Sequence, residues 1–178
     1  CRASADDRPL TLKQEKYRID HEEHFIETPD GERLHVWLLM QRENSHKKPT
    51  LIYFHGNAGN MGFRLSNAVE FFREGINVLM MDYRGYGSSS GVPTEEGLNV
   101  DADVSSSIRQ FRSIITSKHQ TVLDFAKTHP RLDPSKLMAF GRSLGGAVAF
   151  SLAHRRASDV RIILCWLVFR WMDGWMDM

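Results

Sequence analysis

Gly141-Arg142-Ser143-Leu144-Gly145 sets one serine between two glycines at a spacing that supports nucleophilic chemistry. G-x-S-x-G suits a sharp, strained turn from a strand into a helix. The turn lifts the serine hydroxyl clear of the backbone and aims the helix's positive end at it. Glycine is needed on both sides because a Cβ there would collide with neighbouring backbone. Chance places this pentapeptide between an apolar run and a helical pattern in about one chain in a hundred of this composition. The chemistry implied is attack by Ser143 on a carbonyl carbon. That attack builds negative charge on oxygen, which two fixed N–H donors stabilise. His55-Gly56-Asn57 follows another apolar run, where the second donor belongs, so the amides of Asn57 and Leu144 are the candidate oxyanion hole.

The elements that must hold these groups follow from the pattern. Residues 24–28 and 34–39 are β-rich runs around Pro29-Asp30-Gly31-Glu32, a hairpin signal because Asp-Gly tolerates positive φ. Residues 50–54 and 76–81 are continuous apolar runs, which suit strands covered on both faces in a parallel sheet. Between them a helical stretch carries Phe63, Leu65, Ala68, Val69 and Phe72 and stops at Gly75. Asp82-Tyr83-Arg84-Gly85-Tyr86-Gly87 opens a loop, and Thr94-Glu95-Glu96 starts a helical pattern running to Lys127. Residues 136–140 predict the strand before the serine, 144–153 the helix after it, and 160–169 a further strand. Alternating strands and helices specify an α/β fold, with a mostly parallel central sheet, an antiparallel N-terminal hairpin and helices on both faces.

Composition narrows the function. The 178 residues are 42% hydrophobic and 25% charged, enough apolar surface for one globular unit. A net charge of +1 gives no field that would favour nucleic acid as a partner. Two cysteines at opposite ends form no metal or disulfide pattern, and the histidines are spread along the chain. Neither a cofactor nor a metal is therefore expected. The chain begins with Cys1, so an anchor or leader upstream is not visible in it.

His55 to Asn60, the Asp82–Gly87 loop, Pro93-Thr94-Glu95-Glu96-Gly97-Leu98 and Gly141 to Ala147 occur in this order. Together they resemble the α/β-hydrolase superfamily, and within it the membrane-anchored serine hydrolases of the alpha/beta hydrolase domain-containing type. The resemblance covers about residues 22–104 and 122–160. It implies Ser143 as nucleophile, Asn57 and Leu144 as oxyanion donors, and a lipid-like or acylated-protein ester or thioester as substrate. It also implies an endomembrane setting, reached through a hydrophobic anchor that this chain does not contain.

A serine nucleophile needs a base, and the base an orienting acid, in the chain order Ser, acid, His. After Ser143 the acids are Asp159, Asp173 and Asp177, and the one histidine is His154, about three turns along the same helix. Asp82 belongs to a loop-shaping motif, and His129 precedes Pro130 at the opposite sheet edge. The expectation is an incomplete α/β-hydrolase fold, with residues 1–20 a polar lead-in and 21–160 the front of one domain. Residues 105–121 are an apparent insertion and 161–178 an atypical tail. Such a chain is expected to be inactive as it stands. The alternatives are a non-catalytic binding or regulatory remnant of the fold, or a mispredicted or unstable fragment.

Overall fold

The computed structural model describes residues 19–102, 122–160 and 162–166. All of 105–121, and all but a short strand of the 161–178 tail, lie outside the described residues. Strand β1 (His21–Glu27) and β2 (Arg33–Leu39) form the expected hairpin. Its turn is closed by Thr28, whose N–H donates to the Glu32 carbonyl at 2.8 Å and whose Oγ1 donates to Asp30 at 2.6 Å. Gly31 takes φ 90°, as the Asp-Gly pair requires.

Strands β3 (Thr50–Phe54), β4 (Asn77–Met81), β5 (Leu137–Arg142) and β6 (Ile162–Trp166) complete one sheet in the order β1-β2-β4-β3-β5-β6. β2 meets β4 antiparallel, and β4-β3-β5-β6 are parallel. Every residue of β3 and β4 is buried, which is why both are apolar after their first residues, Thr50 and Asn77, rather than alternating.

Helix α1 (Leu65–Arg73) follows a short 3-10 turn at Met61–Arg64 and covers one face. Its Leu65, Ala68 and Val69 pack with Trp37, Leu39, Tyr53, Val78 and Met80. Helices α2 (Glu95–Ala102), α3 (Val122–Thr128) and α4 (Leu144–Arg155) cover the other face. There Val36, Leu38, Ile52, Phe54, Leu79 and Met81 meet Leu98, Leu123, Ala126, Ala149 and Leu152. Neighbours along β2 and β4 thus alternate between two cores, the period-2 arrangement of a sheet sandwiched by helices. No helix among the described residues is long and apolar enough to cross a membrane.

Arg84 ties three of these parts together. Its Nη1 donates to Asp30 of the hairpin turn at 2.6 Å, and its Nε and backbone N–H donate to Asp101 of α2 at 2.8 Å. Asp101 is fully buried, and burial pushes its carboxyl up to about 6 against the pull of Arg84. A lysine cannot reproduce this fork. Replacing Arg84 by Met leaves Asp101 enclosed without its cation, and urea unfolding is expected to show a loss of about 3–5 kcal/mol. Asp30→Asn, at a half-exposed site, is expected to cost about 1 kcal/mol or less.

Candidate active site

The sheet register decides where the chemistry sits. Phe54 of β3 is level with Met81 of β4 on one side and with Gly141 of β5 on the other. The loops that follow these strands therefore leave the same carboxyl edge side by side. β3 is also where strand order reverses, since β4 lies on one flank and β5 on the other. Open α/β sheets hold their ligands in the crevice at such a point.

Ser143 stands between β5 and α4 as the helix's N-cap residue, exposed, with φ 54° and ψ −119°. Few non-glycine residues adopt this conformation, and it costs about 1–3 kcal/mol. The flanking glycines let the turn close. A Cβ on Gly141 would stand 1.9 Å from the Gly145 carbonyl oxygen, and one on Gly145 would stand 2.0 Å from that of Phe54. The Ser143 carbonyl accepts the Gly146 N–H at 2.8 Å, so α4 starts directly beneath the serine. Leu144, its first residue, is partly buried against the core.

The loop after β3 runs alongside. A Cβ built on Gly56 would be 3.8 Å from the Ser143 Cβ and 3.3 Å from the Arg142 carbonyl oxygen. Asn57 follows, exposed. The Gly56 carbonyl accepts the Nδ1–H of His55 at 2.7 Å, and His55 is completely buried. In a trans peptide the C=O and the next N–H point in opposite directions. Anchoring the Gly56 carbonyl on a buried imidazole therefore turns the Asn57 N–H away from that imidazole.

Sequence reasoning missed the pairing of His55 with Asp82. The signal was present, because each residue directly follows one of two strands that end level. His55 Nε2 lies 3.4 Å from Asp82 Oδ1, and Asp82 is 1% exposed. Asp82 Oδ1 also accepts the Met61 N–H at 2.6 Å, which holds the start of the 3-10 turn. Burial lowers His55 to about 4, with Arg64 adding to it and the Gly56 hydrogen bond opposing it. Burial raises Asp82 to about 7 despite the N–H donors of Met61 and Ser88. Near neutrality the imidazole is uncharged, with its proton on Nδ1, and its bare Nε2 faces the Asp82 carboxyl without a hydrogen bond. Nδ1 is thus engaged by the Gly56 carbonyl and Nε2 is turned to Asp82 inside the fold, so neither nitrogen serves Ser143 as a base.

The remaining sequence candidates lie elsewhere. His154 is exposed near the far end of α4. His129 and His24 both meet Glu22, with Nε2 atoms 3.1 and 2.9 Å from Glu22 Oε2. This corrects the expectation that the histidines stay apart: strand alternation puts Glu22 and His24 on one face of β1, beside the end of α3. Burial would raise Glu22, but the His24 and His129 hydrogen bonds outweigh it and hold the carboxyl below its usual value. The three ligand atoms lie within 4.8 Å, a spacing compatible with a cation. Against that, His129 Nδ1 accepts the Arg131 N–H at 3.3 Å, which puts the ring proton on Nε2 and points it at the carboxylate. The donor set fits an ion-paired brace better than a metal.

Two measurements check this geometry. Ser143→Gly relieves the backbone conformation and is expected to raise unfolding stability by about 1 kcal/mol. Asp82→Asn tests the buried pair. A carboxyl raised to about 7 loses stability as pH climbs from about 4 to 7, whereas an imidazole lowered to about 4 gains it over nearly the same window. The two slopes oppose each other in the wild type. In Asp82→Asn only the rise remains, so its own stability is expected to increase by roughly 3 kcal/mol from about pH 4 to about pH 7.5, and by roughly 4 kcal/mol relative to wild type over the same window.

Known proteins share the family and the fold. The Hydrolase_4 family model, described as serine aminopeptidase S33, matches residues 45–168. Protein bem46 of Schizosaccharomyces pombe is 34% identical over 150 residues, covering 84% of this chain and 44% of that protein. The Arabidopsis thaliana alpha/beta hydrolase domain-containing protein WAV2 is 32% identical over 150 residues, covering 84% and 43%. The chain thus spans less than half the length of these relatives. Among solved structures, the Pyrococcus furiosus esterase Pf2001 superposes with a TM-score of 0.60 at 19% identity, over 96% of this chain and 61% of that one. The alpha/beta hydrolase GrgF from a Penicillium species gives 0.61 at 23% identity, over 83% and 45%. By family match and by fold, the chain belongs to the Hydrolase_4 family of α/β hydrolases.

Proposed function

We propose that this chain supplies the nucleophile and the oxyanion donors of a serine hydrolase that acts on an ester or thioester. The observation that carries this reading is the backbone of Ser143, held at φ 54° on the N-cap of α4 beside Gly56. Nothing in the packing requires a strained serine there, and strain kept at an exposed polar residue is a mark of function.

In the reaction, Ser143 Oγ bonds to the acyl carbon while the carbonyl electron pair moves onto oxygen. The N–H groups of Asn57 and Leu144, with the positive end of α4, stabilise that charge. The tetrahedral adduct then expels the alcohol or thiol and leaves an acyl-serine for water to hydrolyse. The serine proton must pass to a base, and the described histidines do not fill that role. His55 is sealed between Gly56 and Asp82, and His154 lies far along α4. Turnover by the 178-residue chain is therefore expected to be slow even where Ser143 is well placed. An apolar, neutral acyl donor such as a lipid ester or an acylated protein fits the superfamily resemblance, and no metal takes part.

A boronic acid separates the nucleophile from the missing base. Ser143 Oγ adds to trigonal boron, one B–O occupies the oxyanion position, and the serine proton leaves to bulk water, so no catalytic base is needed. Wild-type chain is expected to bind butylboronic acid with a tetrahedral boron signal in ¹¹B NMR, and Ser143→Ala to lose it. Equal binding by the two proteins refutes Ser143 as nucleophile. Hydrolysis of p-nitrophenyl butyrate is expected to stay near the buffer rate; steady turnover abolished in Ser143→Ala would mean that the chain contains a working base.

A further inference from the structure

The loop after β4 does more than fill space beside the loop after β3. Tyr86 Oη donates to Asn57 Oδ1 at 2.6 Å, and Tyr83 Oη donates to the His55 carbonyl at 3.0 Å. Tyr83 is fully buried and Tyr86 5% exposed, whereas Asn57 is exposed. The rings of both tyrosines pack on His55, at 4.5 Å and 5.3 Å between centroids. The stretch His55-Gly56-Asn57 is therefore gripped in three places. His55 is held through its carbonyl and its ring, Gly56 through its carbonyl on His55 Nδ1, and Asn57 through its side chain on Tyr86.

These grips are not equivalent. The first two lie in the interior, on groups that neighbouring packing already confines. Asn57 is the exposed end, and it follows a glycine whose backbone has the widest conformational freedom of any residue. Its N–H contributes to transition-state stabilisation only while it faces the oxygen beside Ser143, because a displaced donor loses most of its effect. The Tyr86 hydroxyl, itself held by a buried ring, reaches past the glycine to the Asn57 side chain.

We propose that Tyr86 is a positioning residue for the oxyanion donor: its hydroxyl, acting through the Asn57 side chain, holds the Asn57 N–H toward Ser143. This rests on the reading of Ser143 and Asn57 given above. Tyr86 touches neither the nucleophile nor the acyl group. Its effect passes through one hydrogen bond to a side chain whose own amide does the work.

The test measures butylboronic acid affinity of the 178-residue chain, beside thermal unfolding, for Tyr86→Phe, Asn57→Ala and the double variant. Asn57→Ala keeps the backbone N–H and removes only the tether's acceptor. Each single variant is expected to bind about tenfold more weakly, the magnitude of one well-made hydrogen bond. The double variant is expected to lose no more than either single one, at thermal midpoints close to wild type. A role in stability alone would move the midpoint and spare the affinity. The proposal is overturned if Tyr86→Phe binds like wild type, or if the two losses multiply in the double variant. Should Tyr86→Phe fail to fold, Asn57→Ala at its exposed site decides alone: tenfold weaker binding supports the tether and unchanged binding overturns it. Ser143→Ala keeps the two readings apart. If it binds as well as wild type, the nucleophile assignment fails and the tether's purpose with it. If it loses binding while Tyr86→Phe does not, only the tether is wrong.

Discussion

The level ending of β3, β4 and β5 is the constraint on which the rest of the site depends. Parallel pairing sets Phe54 opposite both Met81 and Gly141, and a slip of one residue would turn every side chain of the central strand to the other core. Because the two cores are filled by different helices, that slip would bury nothing correctly. Packing therefore fixes the register, and the register fixes which loops are neighbours. His55 lies beside Asp82, Gly56 beside Ser143, and the 82–87 loop beside Asn57 without any loop having to find its own position.

Buried polar groups then do what the register leaves undone. His55 and Asp82 together sacrifice two charges to burial, and each makes a hydrogen bond to a backbone group of a loop rather than to solvent: Nδ1 to the Gly56 carbonyl for one, Oδ1 to the Met61 N–H for the other, with His55 Nε2 left facing Asp82 unbonded. Such an incompletely satisfied buried pair costs more than an apolar substitute. Its return is directional, since hydrogen bonds specify loop orientation where apolar contact would only fill volume. The same logic applies at Arg84, where one guanidinium and two carboxylates set the hairpin turn against α2. The fold accepts these desolvation costs at the carboxyl edge, where orientation matters to chemistry, and keeps the opposite faces of the sheet apolar.

Much of this was legible in the residues. The strands at 50–54 and 76–81, the hairpin around Asp30-Gly31 and the turn at Ser143 all rest on local signals, and all appear at or within a few residues of the expected positions. The glycines of the elbow were predictable on steric grounds, and the distances to Gly145 and Phe54 give that argument its magnitude. What the sequence hid was contact between distant segments. Nothing local announces that Tyr86 reaches Asn57, that Asp101 lies under Arg84, or that His129 shares Glu22 with His24. His55 with Asp82 sits between these cases. Its two residues follow two recognisable parallel strands, so once neighbouring strands were assumed to end level, the pair was deducible.

The arrangement also separates the two halves of a nucleophilic site by how they are built. On the proposed reading, the half made of Ser143 and its neighbouring amides depends on β3, β4, β5, the start of α4 and three adjacent loops. The contacts named above lie among residues 54–88 and 137–147. Its hydrogen bonds are made in the resting fold, so no reorganisation is needed when charge develops on a bound oxygen. The proton-accepting half has no such foundation on this side. Tyr83, Tyr86 and Asp82 enclose His55, and the serine faces outward, away from them. A base that serves Ser143 must therefore approach from the solvent-facing side of the crevice. On the proposed reading of Ser143, the positioning of the nucleophile and the positioning of its base are two separate structural problems, and the described residues bear on the first.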